Sequence, residues 1–273
     1  MEVDIVTLSR QGGRSYNEDV HGQWRDGRFV ACLVADGAGG HGGGDVAAAT
    51  ASASVLEGFG AAPGVDAAAL RGLIEEANRA VVARQAEGGK LAAMRSTIVT
   101  VAIDRQERRF AWAHTGDSRG YLFHDGVLVT RTVDHSLVQQ MVASGMIDAE
   151  GARRHPQRNM LLSALGSLVE PPEIAVSAPM PLAPGDVLLL CSDGVWEPLG
   201  DGVLAALLQA SRTASHWVEQ IDRQVKAVAR PGHDNYTALA IWPRFDGDGT
   251  VLFPSDGDDR LYDEGGPASA GKP

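Results

Sequence analysis

Three things are scarce in this chain of 273 residues: long apolar runs, cysteine and positive charge. No apolar stretch approaches the roughly 18 residues needed to cross a bilayer. The opening Met1-Glu2-Val3-Asp4 is acidic and lacks the basic and apolar regions of a secretory signal. The cytoplasm is therefore the expected location, with no membrane partner. The two cysteines, Cys32 and Cys191, lie in apolar strand-like runs without a C-x-x-C partner, which excludes a disulfide framework and a thiolate metal site. Both are expected in the core as small hydrophobes. A formal net charge of −11 argues against nucleic acid, whose phosphates call for a basic surface.

What is present is a soluble globular composition, 44% hydrophobic and 22% charged. Residues 244–273 carry seven Asp and Glu against two Arg and one Lys and end in a Gly/Pro/Ala-rich stretch, so an acidic, mobile tail is expected there. No repeat and no linker interrupts residues 1–243, which read as one domain and a monomer.

Apolar periodicity predicts strands at Val3 to Leu8 and Arg28 to Ala35, then helices at Asp45 to Phe59 and Asp66 to Glu87. Four strand runs between Thr97 and Thr130, separated by turns such as Asp125-Gly126, predict an antiparallel meander. Ser136 to Ser144 predicts a helix capped by Asp134 or Ser136, and Met146 to Gly166 a polar, irregular lobe suited to substrate selection. Strands at Ile174 to Val176 and Val187 to Cys191, helices at Val203 to Ala210 and Ala214 to Val228, and a strand at Tyr236 to Trp242 complete the set.

Four acidic turns recur along the chain, Asn17-Glu18-Asp19, Ala35-Asp36-Gly37, Ser192-Asp193-Gly194 and Asp234-Asn235, and the last three follow or flank strand-like runs. Any one alone reads as an ordinary turn, since Asp-Gly and Asp-Asn form turns readily. Together they point to oxygen ligands for hard divalent cations, held by rigid backbone. Gly37-Ala38-Gly39-Gly40-His41-Gly42 matches the dinucleotide pattern G-x-G-x-x-G. A second helix follows where that unit needs a strand, and Asp36 would repel a pyrophosphate, so a dinucleotide enzyme is the weakest reading.

In order, Gly13-Arg14-Ser15-Tyr16-Asn17-Glu18-Asp19, Val34 to His41, Ser96-Thr97, Ala113 to Arg119, Ser192 to Trp196 and Asp234-Asn235 closely resemble the metal-dependent serine/threonine phosphatases of the PPM, or type 2C, family, in its bacterial branch. The resemblance covers about residues 2 to 242, and His155 to Asn159 with Ala164-Leu165-Gly166 resembles the family's flap. It implies an α+β fold, an αββα sandwich of two antiparallel sheets flanked by helix pairs. It also implies hydrolysis of phosphoserine and phosphothreonine in proteins by a metal-activated water at a binuclear Mn2+ or Mg2+ centre, with phosphoprotein substrates and a cognate serine/threonine kinase as partners.

By the same resemblance, Asp36, the Gly37 carbonyl, Asp193 and Asp234 would ligate the two ions, with Glu18 and Asp19 orienting their waters. Arg14 would hold the substrate phosphate, and Asp117 with Glu197 would take a weaker third ion. Three positions depart from the pattern. Glu197 stands where the family often has Asp, Arg95 where glycine is usual, and Ala38 where some relatives place a histidine general acid, leaving His41 as the nearest candidate. A non-catalytic phosphoprotein-binding regulatory module on the same fold is the alternative if these departures disable turnover.

Overall fold

The computed structural model describes residues 1–38, 42–168 and 170–245. In chain order the elements are β1 (Glu2–Arg10), β2 (Asp19–Arg25), β3 (Phe29–Ala38), α1 (Gly44–Ala61), α2 (Ala67–Gln85), β4 (Arg95–Ser96), β5 (Ile98–Asp104), β6 (Arg109–Thr115), β7 (Arg119–His124) and β8 (Val127–Arg131). There follow α3 (Leu137–Ala143), α4 (Ala149–Arg154), β9 (Ala175–Val176), β10 (Met180–Pro181), β11 (Asp186–Cys191), α5 (Asp193–Gln209), α6 (Ala214–Val228) and β12 (Tyr236–Arg244).

The strands form two antiparallel sheets, β1-β12-β11-β7-β8 and β10-β6-β5-β3-β2, with β4 added to β3 and β9 to β6. Their facing surfaces interleave Cys32, Val34, Val101, Leu188, Leu190 and Ile241 in a buried layer. Runs such as Val187 to Cys191 are apolar on both faces because each sheet is covered twice, once by the other sheet and once by helices. On one outer face α1 and α2 pack through Ala47, Ala51, Val55, Ile74 and Val81; on the other α5 and α6 pack through Leu204, Trp217 and Ile221. The result is the αββα sandwich that the family resemblance implied. Cys32 and Cys191 are free and buried, and burial pushes the Cys32 thiol up to about 12.

Several local expectations need correction. The run from Thr97 to Thr130 is not one meander: β5 and β6 pair in one sheet, β7 and β8 in the other. The chain crosses between sheets at Gly116-Asp117-Ser118, where Gly116 adopts φ 94° and a Cβ would meet the Thr97 side chain at 2.6 Å. That crossing puts Asp117 at the end of the sandwich. β2 was not predicted, since His21, Gly22 and Gln23 break its apolar alternation. Asp193 is not in a turn but opens α5; Pro198 and the non-helical Gly200 (φ 72°, ψ 162°) interrupt the helix and hide its first half in the sequence. The lobe at 146–166 contains the short helix α4.

At the C-terminal end, β12 continues through Arg244, opposite Glu2 and 2.9 Å from Asp4. Phe245 joins the layer between the sheets. Residues 246–273 lie outside the described residues, as does the His41 candidate. Among the described residues no helix is long and apolar enough to cross a membrane.

Candidate metal centre

One end of the sandwich gathers carboxylates from four distant segments. Asp36 comes from β3 and pairs in register with Asp19, the first residue of β2, so hydrogen bonding along the strands fixes the two acids side by side. Ser96-Thr97 fixes Asp36 from the other side: Thr97 N donates to Asp36 O at 2.9 Å, and Asp36 N donates to Thr97 Oγ1 at 3.1 Å. Thr97 Oγ1 in turn lies 2.7 Å from Ser118 Oγ, tying the Asp36 strand to the turn that carries Asp117. Gly37 has no room for a side chain, since a Cβ would fall 2.1 Å from Gly44 O. Only glycine lets β3 approach the start of α1 this closely.

The other sheet supplies Asp193 and Asp234. Ser192 Oγ donates to Asp19 Oδ2 at 2.7 Å and accepts from Thr237 N at 3.0 Å, linking the start of α5 to β2 and β12. Gly194 packs against the backbone of Asn235, where a Cβ would come within 2.0 Å of the carbonyl oxygen. Asn235 clamps the loop before β2: its Nδ2 donates to Gln11 O and Tyr16 O at 2.7 and 3.0 Å, and its Oδ1 accepts from Glu18 N at 2.9 Å. This holds Glu18 at the rim, where Tyr16 Oη donates to its Oε1 at 3.1 Å. Arg14, from the same loop, donates from Nη2 to Asp234 Oδ2 at 2.6 Å.

Crowded acids oppose one another's ionisation. Burial, then Asp193 and Asp19, raise Asp36 well above the usual carboxylate range; burial, then Asp117 and Asp234, do the same to Asp193. Burial lifts Asp19 to about 6 against hydrogen bonds from Ser192 and Thr237, and lifts Asp117 to about 7 with help from Asp134. Oδ1 of Asp193 and Oδ1 of Asp19 are buried without a hydrogen-bond partner. Such orphaned anionic oxygens call for a cation. The donor set, hard carboxylate and carbonyl oxygen, suits Mn2+ or Mg2+. Among the described residues no three acidic, His or Cys side chains close around a single point. Asp234 has both oxygens engaged, Oδ2 by Arg14 and Oδ1 by Asn235 N at 2.9 Å.

Comparison with known proteins bears on this arrangement. Residues 26–242 match the family model described as Stage II sporulation protein E (SpoIIE). The serine/threonine phosphatase stp of Listeria monocytogenes is 34% identical over 236 residues, 84% of this chain and 90% of that protein. The chain belongs to the bacterial PPM serine/threonine phosphatases. Among solved structures of the family, Stp1 from Staphylococcus aureus superposes with a TM-score of 0.79 at 25% identity, over 90% of this chain and 96% of that one. The catalytic domain of PstP in complex with two manganese ions gives 0.73 at 29% identity, over 88% and 97%.

The positions that depart from the family pattern have distinct surroundings. Glu197 is engaged by the flap segment, where Arg158 Nε donates to its Oε1. Arg95 lies in β4 opposite Ala38, exposed at the rim. Two functional supports escaped the sequence reading. Asp134 is not the cap of α3, a task done by Ser136 through Gln139 N. It pairs with Arg119, whose Nε and Nη2 reach Oδ1 and Oδ2 at 2.8 and 2.7 Å in a buried fork. Trp196 Nε1 donates to Asp117 O at 2.9 Å, and the Arg119 guanidinium lies 3.4 Å above the Trp196 ring centre. Together they brace the Gly116-to-Arg119 turn; only the proximity of Asp134 to a helix start was visible in sequence, and it suggested a cap.

Proposed function

We propose that this chain hydrolyses phosphoserine and phosphothreonine esters in proteins at a binuclear Mn2+ or Mg2+ centre. The observation that carries this reading is the ring of Asp36, Asp19, Asp193 and Asp234, with unpartnered buried oxygens on Asp193 and Asp19, beside the Arg14 guanidinium. Asp36, the Gly37 carbonyl, Asp193 and Asp234 would hold the ions. When bound, such a pair supplies an activated water and neutralises developing charge on the phosphoryl group. The catalytic domain of the relative PstP, solved with two manganese ions, supports a two-ion centre.

The chain's own groups do the rest. Arg14 can leave Asp234 for the substrate phosphate, which its planar fork of donors matches. Glu18 and Asp19 accept hydrogen bonds that orient water at the ring, as outer-shell carboxylates do. Asp117, braced by Arg119 and Trp196, is left to hold any third ion with little help from Glu197, which is engaged by Arg158. Ala38 offers no acid for the leaving alkoxide, and His41 remains the nearest candidate. Protein phosphoesters must be made by a kinase, so the partner reaction is that of a serine/threonine kinase.

Titration calorimetry tests the centre directly. Wild type is expected to bind two Mn2+ ions, and Asp36→Asn to lose both. A protein that binds phosphothreonine peptide but no Mn2+ would instead be a phosphoprotein-binding module.

A further inference from the structure

Two of the positions that depart from the family pattern, Ala38 and Arg95, are neighbours: they stand directly opposite each other in the β3–β4 ladder. The flanking core residues show which way both side chains face. Leu33, Ala35, Met94 and Ile98 pack under α1 and α2, whereas Val34 and Val99 lie between the sheets. Side chains alternate along an extended chain, so Asp36 and Ala38 on one strand, and Thr97 and Arg95 on the other, continue the face between the sheets. The 2.7 Å contact of Thr97 Oγ1 with Ser118 Oγ agrees. That face opens into the carboxylate ring, and Arg95 stands two residues outward from the level of Asp36, roughly 7 Å along the ladder.

Opposite residues of an antiparallel pair have Cβ atoms about 5 Å apart, so the small side chain of Ala38 leaves room for the long one across from it. Arg95 is exposed and makes no hydrogen bond or ion pair with the described residues. Glu170 and Glu173 line the same pocket of about 280 Å3 without pairing with it. Arg14, Arg119 and Arg158, by contrast, are each held by a carboxylate. An arginine keeps its proton at any working pH. The rim beside Asp36 therefore carries an uncommitted, permanent positive charge.

In-line displacement at phosphorus places the departing ester oxygen opposite the attacking water. With the water at the floor of the ring, the ester oxygen lies on the open side, at the level of Arg95. We propose that Arg95 is a catalytic residue whose guanidinium binds the departing ester oxygen and stabilises the negative charge that gathers on it. The proposal rests on the phosphatase reading above. The water oxygen bonds to phosphorus, the bond from phosphorus to the ester oxygen breaks, and its electron pair stays on that oxygen. A proton of the attacking water reaches the same oxygen through solvent, giving the free hydroxyl of serine or threonine. Arg95 donates hydrogen bonds and keeps its own proton, so it supplies charge where Ala38 supplies no acid. A cation aimed at developing charge acts mainly in the transition state.

The test uses the full chain with Mn2+ and three esters: a phosphothreonine peptide, phenyl phosphate and p-nitrophenyl phosphate. The threonine alkoxide needs outside stabilisation most, phenoxide less, and p-nitrophenolate least, because the nitro group spreads its charge. Arg95→Met, which keeps length and removes charge, is expected to lower kcat/KM by roughly 10- to 100-fold on the peptide, the cost of one charged hydrogen-bonded contact. The fall is expected to be intermediate on phenyl phosphate and no more than about threefold on p-nitrophenyl phosphate. Inorganic phosphate has no ester group, so its inhibition constant should stay within about twofold of wild type. The comparison among esters is internal to each variant, so a partly unfolded preparation does not imitate it. Equal losses on all three esters, no loss on the peptide, or phosphate inhibition weakened as much as peptide turnover would overturn the proposal alone. Wild type inert on all three esters overturns the phosphatase reading and the role of Arg95 with it.

Discussion

Arg14 Nη2 lies 2.6 Å from Asp234 Oδ2, joining a loop before the second strand to the turn before the last one. A guanidinium on a carboxylate of the ring is a local source of positive charge that a phosphate can claim. Arg14→Ala is therefore expected to lower kcat/KM for phosphopeptides by roughly 10- to 100-fold, the cost of one hydrogen-bonded charged contact. Arg14→Lys should recover only part, because an ammonium lacks the planar fork. Steady-state kinetics of the two variants decides this; equal activity in Arg14→Ala and wild type would remove Arg14 from phosphate binding.

Asn235 is expected to matter for a different reason. Its side chain makes three hydrogen bonds to the backbone of the loop from Gln11 to Glu18. Asn235→Ala should destabilise the protein by about 1 to 3 kcal/mol, the loss of buried side-chain-to-backbone bonds. It should also displace Arg14 and Glu18 and so reduce activity. Thermal unfolding and kinetics together check it, and a variant that loses neither stability nor activity would contradict the clamp.

The acid ring predicts an unusual pH dependence for the protein stripped of metal. Asp19 and Asp117 have folded pKa values raised to about 6 and about 7, so the folded state binds more protons than the unfolded state from about pH 4 up to 7. By linkage, stability then falls as pH rises through that window. With EDTA, Tm is expected to be higher at pH 6 than at pH 8 by on the order of 5 °C, and excess Mn2+ should raise Tm more at pH 8, where no proton competes for the ligands. A metal-free Tm that rises from pH 6 to pH 8 would contradict the assignment.

The flap latch should be visible as local motion rather than as global stability. Arg158 and Glu197 are 43% and 29% exposed, and an ion pair this open contributes about 0 to 1 kcal/mol. Arg158→Ala is expected to leave Tm within a degree or two of wild type. It should speed hydrogen exchange in residues 149–160 by up to about fivefold. Unchanged exchange there would mean that the flap is held without Arg158.

The helix pairs and the covered strands were legible in the sequence because their periodicity is local. Ala47, Ala51 and Val55 repeat at helical spacing, and Val187 to Cys191 is apolar throughout. The Asp residues gathered at the end of the sandwich could be picked out because each sits in a short motif whose order matches a family. Relationships between segments were not legible. Nothing near Gly116 shows that the next strand changes sheets, and nothing near Asp134 shows that its partner is Arg119 across a turn. Asn235 stood out only as the neighbour of Asp234, and its clamp exists only once β12 lies beside the first loop. Gly200 hid the first half of α5, and with it the surface on which the flap rests.

The central claim is that the carboxylate ring is a two-metal hydrolytic site. Its most direct test is release of phosphate from a phosphothreonine peptide, with and without Mn2+, by wild type and by Asp193→Ala. Turnover that requires Mn2+ and falls by at least about a thousandfold in Asp193→Ala is the predicted result. Turnover that persists without metal, or that survives the substitution, would contradict the account.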